Sequence, residues 1–153
     1  MQPFRFHSIY QPRIWGGQSM RTMLGRELPD RETAYGEAWE ISDRPEAMSI
    51  VKDGEWEGMP LHRLWEEHRQ EIFGPGYERF PRFPLLCKIL DARENLSVQV
   101  HPPERTAAAR QGEVKNEIWY VLHASPDALI YGGMEENATL PDIRHAAETG
   151  QME

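Results

Sequence analysis

The sequence predicts a mainly β protein, a sandwich or barrel carrying short helices, and three observations lead there. Residues 37–42 and 96–101 alternate apolar and polar side chains with the period of two that a half-buried strand requires, and residues 115–122 read as a further strand with Lys115 and Glu117 on one face. Phe83 to Ala92 is strongly apolar, interrupted by Lys88 and preceded by Pro81 and Pro84, as befits a buried strand. Helical spacing is confined to a few short segments, so strands outnumber helices. At 153 residues, 39% hydrophobic and 27% charged, residues 1–153 read as one globular domain with a real core.

Taken in order, the N-terminus reads as irregular. Pro12-Arg13-Ile14-Trp15-Gly16-Gly17 suggests a tight loop, since paired glycines reach backbone conformations closed to other residues. Glu37-Ala-Trp-Glu-Ile-Ser42 is a strand. Met48–Val51 and the residues after Gly54 pair as a hairpin across Asp53-Gly54, a favoured two-residue turn. Residues 60–73 form an amphipathic helix: Pro60 suits the first turn, Leu61, Leu64, Trp65, His68 and Ile72 share a side, and Gly74-Pro75-Gly76 stops it. Strands are expected over 83–92, 96–101, 114–122 and 128–131, and short helices over 102–112 and 141–147. Cys87 alternates with Lys88 and is expected to face the core.

The stretch 96–101 is the most informative chemically. As a strand it turns Leu96, Val98 and Val100 to one face and Ser97, Gln99 and His101 to the other. The second face reads as the wall of a cavity. Lys115 and Glu117 repeat the device on a neighbouring strand. An amide oxygen, an imidazole and a carboxylate on adjacent strands suit zinc, and they equally suit a buried hydrogen-bonded trio. His7, His62, His68, His123 and His145 have no ligand spacing.

Five blocks occur in order: Ile14-Trp15-Gly16-Gly17, Gly36-Glu37-Ala38-Trp39-Glu40-Ile41-Ser42, Phe83 to Ala92, Leu96 to Pro102, and Lys115-Asn116-Glu117-Ile118-Trp119-Tyr120. Together they resemble the type I mannose-6-phosphate isomerases, zinc enzymes of the cupin fold, a double-stranded β-helix or jelly roll. The resemblance implies interconversion of mannose 6-phosphate and fructose 6-phosphate through a cis-enediol. It implies Gln99, His101 and Glu117 as zinc ligands and Lys115 in the active site as the candidate acid or base. It further implies Lys88 and Ser97 on the phosphate side of the pocket, with Trp15 and Glu37 lining the cavity. In that family a second half of the barrel brings a further histidine ligand, an arginine and an acidic residue, and no segment of these 153 residues matches it. The expectation is therefore the N-terminal part of a jelly roll, incomplete at its C-terminal side, whose activity depends on a missing half or on self-association. The alternatives are a non-catalytic metal-binding cupin module that binds or senses sugar phosphate, and an interaction domain pairing through open strands.

Other function classes are disfavoured. A net charge of −8 argues against nucleic acid as partner, though a local basic pocket can still take a sugar phosphate. No apolar run approaches a membrane span, and the first residues lack a signal-peptide apolar region. The lone Cys87 excludes an internal disulfide and fits a reducing, cytoplasmic setting.

Overall fold

The computed structural model describes residues 3–97, 99 and 101–150, and the chain divides into two compact units, Met1–Leu96 and Ser97–Glu153. The first unit runs β1 (Ile9–Gly17), α1 (Ser19–Thr22), β2 (Tyr35–Ile41), β3 (Asp43–Arg44), β4 (Ala47–Met48), α2 (Leu61–Phe73) and β5 (Cys87–Leu90). β1, β2 and β5 form an antiparallel sheet with β2 central. Tyr10, Ala38 and Ile89 stand in register across it, and they pack with Met20, Leu28 and Tyr35 as the core. Trp39 opposes Lys88 one residue away, so it and Glu37 project from the other face.

The loop expected over residues 12–17 is instead the end of strand β1. Pro12 is tolerated because β1 is an edge strand, and the register shifts on both sides of it. The glycines serve close approach rather than a turn. A Cβ on Gly16 would lie 2.7 Å from the backbone nitrogen of Gly36, and one on Gly17 would strike the Asp91 carboxylate.

The hairpin expected across Asp53-Gly54 also differs. β3 and β4 pair with each other across Pro45-Glu46. The chain does reverse near Gly54, through a wider turn in which Gly58 and Val51 hydrogen-bond at 2.9 Å and Gly54 and Gly58 hold φ values of 86° and 82°. Helix α2 agrees with its sequence signal: Leu61, Leu64 and Trp65 are buried and Gly74 ends it at φ 77°. It is kinked at His68, whose ring meets that of Trp56. Trp65 packs among Phe73, Tyr77 and Phe83 and donates its indole N–H to the Phe80 carbonyl at 3.2 Å. β5 is shorter than the apolar run that announces it, beginning three residues after Pro84. Cys87 is exposed, not core-facing, because it sits opposite Ile41 beyond a register shift that ends the regular alternation.

The second unit contains α3 (Glu104–Ala107), a 3-10 turn at Ala108–Arg110 and α4 (Leu140–Thr149). Both helices fall where the sequence places them. The strands expected over 96–101, 114–122 and 128–131 are absent among the described residues; Val98 and Val100 lie outside these. Composition alone does not make a strand. Its N–H and C=O groups need a neighbouring edge, and none is supplied here among the described residues. Ile118, Trp119, Tyr120 and Leu122 are consequently exposed. No helix among the described residues is long and apolar enough to cross a membrane.

α4 buries no residue, so its stability is local. A reciprocal cap holds its start. Thr139 donates its backbone N–H and its hydroxyl to Asp142 at 2.8 and 2.6 Å, and Pro141 sits in the first turn. Thr139→Ala is expected to cost about 1 kcal/mol of helix stability. Amide exchange over residues 140–149 checks this; unchanged protection would mean that packing, not the cap, holds the helix.

Candidate functional site

The best-formed polar arrangement of the first unit is centred on Glu37, whose placement in the middle strand buries its carboxylate. A buried carboxylate needs partners, and three donors supply them. Arg13 Nη2 lies 2.7 Å from Oε2, the Trp39 indole N–H donates to Oε2 at 2.9 Å, and Lys88 Nζ reaches Oε1 at 3.1 Å. Burial works against ionisation of Glu37. The hydrogen bonds from Trp39 and Lys88 and the positive charges of Lys88 and Arg13 outweigh it, holding the carboxyl below its ordinary value of 4.5. The stability this contributes is full above that ordinary value and is lost as pH falls through the lower folded value.

Trp15 lies beside this group. Its ring and the Arg13 Cβ cover Gly36, where an added Cβ would come within 2.5 Å of Trp15 Cζ3 and 2.6 Å of Arg13 Cβ. The Trp15 carbonyl accepts the Arg93 N–H at 2.8 Å. Asp91, one residue past β5, fastens the surroundings. Its carboxylate accepts the Met20 N–H at 2.8 Å, and its backbone exchanges hydrogen bonds of 2.9 Å with Gly17 and Gly36. The structure thus brings the sequence-predicted Glu37 and Lys88 into direct contact and sets Trp15 over the adjoining glycine. Arg13 and Asp91 were not among the sequence candidates. A cation two residues before Trp15 was the available signal for Arg13; Asp91 closes an apolar run and looks like an ordinary loop residue.

Ser97, Gln99, His101, Lys115 and Glu117 belong to the second unit, on non-strand backbone, and all are exposed. Lys115 Nζ lies 2.9 Å from Glu117 Oε1, and the Gln99 amide nitrogen is 3.4 Å from Ser97 Oγ. The first is an ion pair. The second is a long contact that leaves the Gln99 side-chain oxygen to act as acceptor. One imidazole, one carboxylate and one amide oxygen are a donor set that zinc accepts in kind. Among the described residues no group of three or more His, Cys, Asp or Glu side chains converges to hold a metal; a set completed by the Gln99 amide falls outside that class.

Comparison with known proteins follows the same residues. The family model for phosphomannose isomerase type I, catalytic domain, matches residues 3–127. The mannose-6-phosphate isomerase of Streptococcus mutans is 44% identical over 154 residues, covering 99% of this chain and 46% of that protein. The Bacillus subtilis mannose-6-phosphate isomerase ManA is 40% identical over 141 residues, covering 90% and 42%. A crystal structure of mannose 6-phosphate isomerase from Bacillus subtilis superposes with a TM-score of 0.64 at 36% identity, over 72% of this chain and 34% of that one. The chain spans about half the length of the curated relatives it matches.

Proposed function

This chain belongs to the type I phosphomannose isomerase family, and we propose that residues 1–153 form the N-terminal part of a cupin-type catalytic domain that interconverts mannose 6-phosphate and fructose 6-phosphate. The observation that carries this reading is the position of the family match. Residues 3–127 include every candidate, from Trp15 to Glu117. Small antiparallel sheets and short helices suit part of a jelly roll.

The reaction moves a proton from C2 of the open-chain aldose to C1 by way of a cis-enediol. In this reading Gln99, His101 and Glu117 hold zinc, the first two as neutral donors and the third as the anionic one. Bound zinc would polarise the sugar oxygens between which the carbonyl migrates. By resemblance Lys115 is the candidate acid or base of this transfer; its Nζ lies 2.9 Å from Glu117 Oε1. Lys88 and Ser97 provide a cation and a hydroxyl for the phosphate, and Trp15 and Glu37 line the sugar pocket. The reading places the enzyme in the cytoplasm, supported by the single cysteine of the chain.

Incubation of mannose 6-phosphate with the purified chain and zinc in D2O tests the reaction class. Fructose 6-phosphate carrying deuterium at C1 is the expected product. Turnover without any solvent deuterium would mean that the C2 hydrogen passes directly to C1, as a hydride or on a proton carrier closed to water, and would contradict an enediol open to solvent exchange. A folded, zinc-loaded chain that forms no product would contradict activity of the chain by itself.

A further inference from the structure

We infer that Arg13 is the second cation of the phosphate subsite, acting with Lys88, and that Glu37 positions the two. The inference rests on the isomerase reading in taking a phosphate monoester as the anion and Lys88 as one of its ligands.

The geometry is that of one buried carboxylate between two cations. Glu37 accepts Arg13 on one oxygen and Lys88 on the other, while Trp39 occupies the first oxygen a second time. Each cation comes from a different strand, Arg13 from β1 and Lys88 from β5, with Glu37 on the strand between them. Two positive charges against one negative leave the group with a net charge of about +1 on the side of the sheet away from the core. A purely structural ion pair would need only one of them.

The side chains are placed for a ligand as well. Glu37 is 8% exposed at its side chain, whereas Arg13 and Lys88 are 36% and 23% exposed. The carboxylate is thus closed to solvent while the cations remain reachable. Arg13 spends Nη2 on Glu37 and Nη1 on the Pro12 carbonyl at 2.9 Å, which fixes the plane of the guanidinium. A guanidinium has five N–H donors and these two bonds use two, so further donors remain for an anion. An arginine so oriented binds phosphate by shape as well as charge, and the neighbouring lysine adds a point charge.

The test uses inorganic phosphate and the full chain, read by the indole N–H resonance of Trp39, which bonds the same carboxylate. Saturable displacement of that resonance is expected. Arg13→Gln should weaken phosphate binding by about tenfold or more, and Lys88→Gln similarly. Arg63→Gln, which removes an exposed arginine paired with Glu67 on α2, should leave it unchanged. Should Arg13→Gln fail to fold, Arg13→Lys decides. It keeps the charge but loses the fork, so affinity should fall by roughly threefold or more. No saturable shift in the wild type, equal affinity in the Arg13 variants, or equal weakening by Arg63→Gln would each overturn the inference. Phosphate binding requires neither zinc nor turnover. Arg13-dependent binding without fructose 6-phosphate would therefore count only against activity of the chain by itself, and turnover with Arg13-independent binding would sink this inference alone.

Discussion

Gly16→Ala is expected to destabilise the first unit by about 3 kcal/mol, near the upper end for an overpacked site. The new methyl carbon would lie 2.7 Å from the Gly36 nitrogen, 2.8 Å from the Tyr35 carbonyl carbon and 3.0 Å from the Ala34 carbonyl carbon. All three are backbone atoms in or next to the central strand, so no side chain can swing aside to make room. Relief requires β1 to move away from β2, which breaks the ladder that positions Arg13 and Trp15. Gly36→Ala meets side-chain atoms of Trp15 and Arg13 instead. It should cost less and displace those two residues from Glu37. Urea denaturation of both variants checks the order. A Gly16→Ala protein as stable as the wild type would show that β1 is not held this closely.

The second large effect is expected of Glu37→Ala, at about 2–3 kcal/mol. Removing the carboxylate leaves two cations adjacent and an indole N–H without its acceptor. Exposure of Arg13 and Lys88 lets water recover part of the loss, so the figure lies below that of a fully enclosed ion pair. Glu37→Gln retains an oxygen for Trp39 and should cost less. The pH dependence supplies an independent reading. Because Glu37 is held below its ordinary value, the wild type should lose stability on acidification below about pH 4.5 more steeply than Glu37→Gln. Coincident acid-unfolding curves would mean that the carboxylate contributes nothing as an anion.

The parts of the fold legible in the sequence are those whose signal is local. Helix α2 announced itself through Pro60, the spacing of Leu61, Leu64 and Trp65, and Gly74. β2 was legible from alternation because it is the central strand and has two faces to satisfy. β1 was not, since Pro12 and the glycine pair mimic a loop; the reason for the glycines is the closeness of β2, which a linear reading does not contain. The strands expected at 96–101, 114–122 and 128–131 carry the right composition, yet a ladder is a property of two segments. Among the site candidates, the contact of Glu37 with Lys88 follows from register, and Arg13 joins them from beyond an irregularity that defeats period-two counting.

The most direct measurement of the central claim is activity of a chimera. This chain would replace the matching N-terminal portion of the Streptococcus mutans mannose-6-phosphate isomerase, to which it is 44% identical over 154 residues. The account predicts zinc-dependent formation of fructose 6-phosphate from mannose 6-phosphate by the chimera. Glu117→Ala or Gln99→Ala within the transplanted segment should abolish it, with a loss of about a hundredfold or more. A folded chimera without activity, or one indifferent to both substitutions, would contradict the assignment of the isomerase site to these residues.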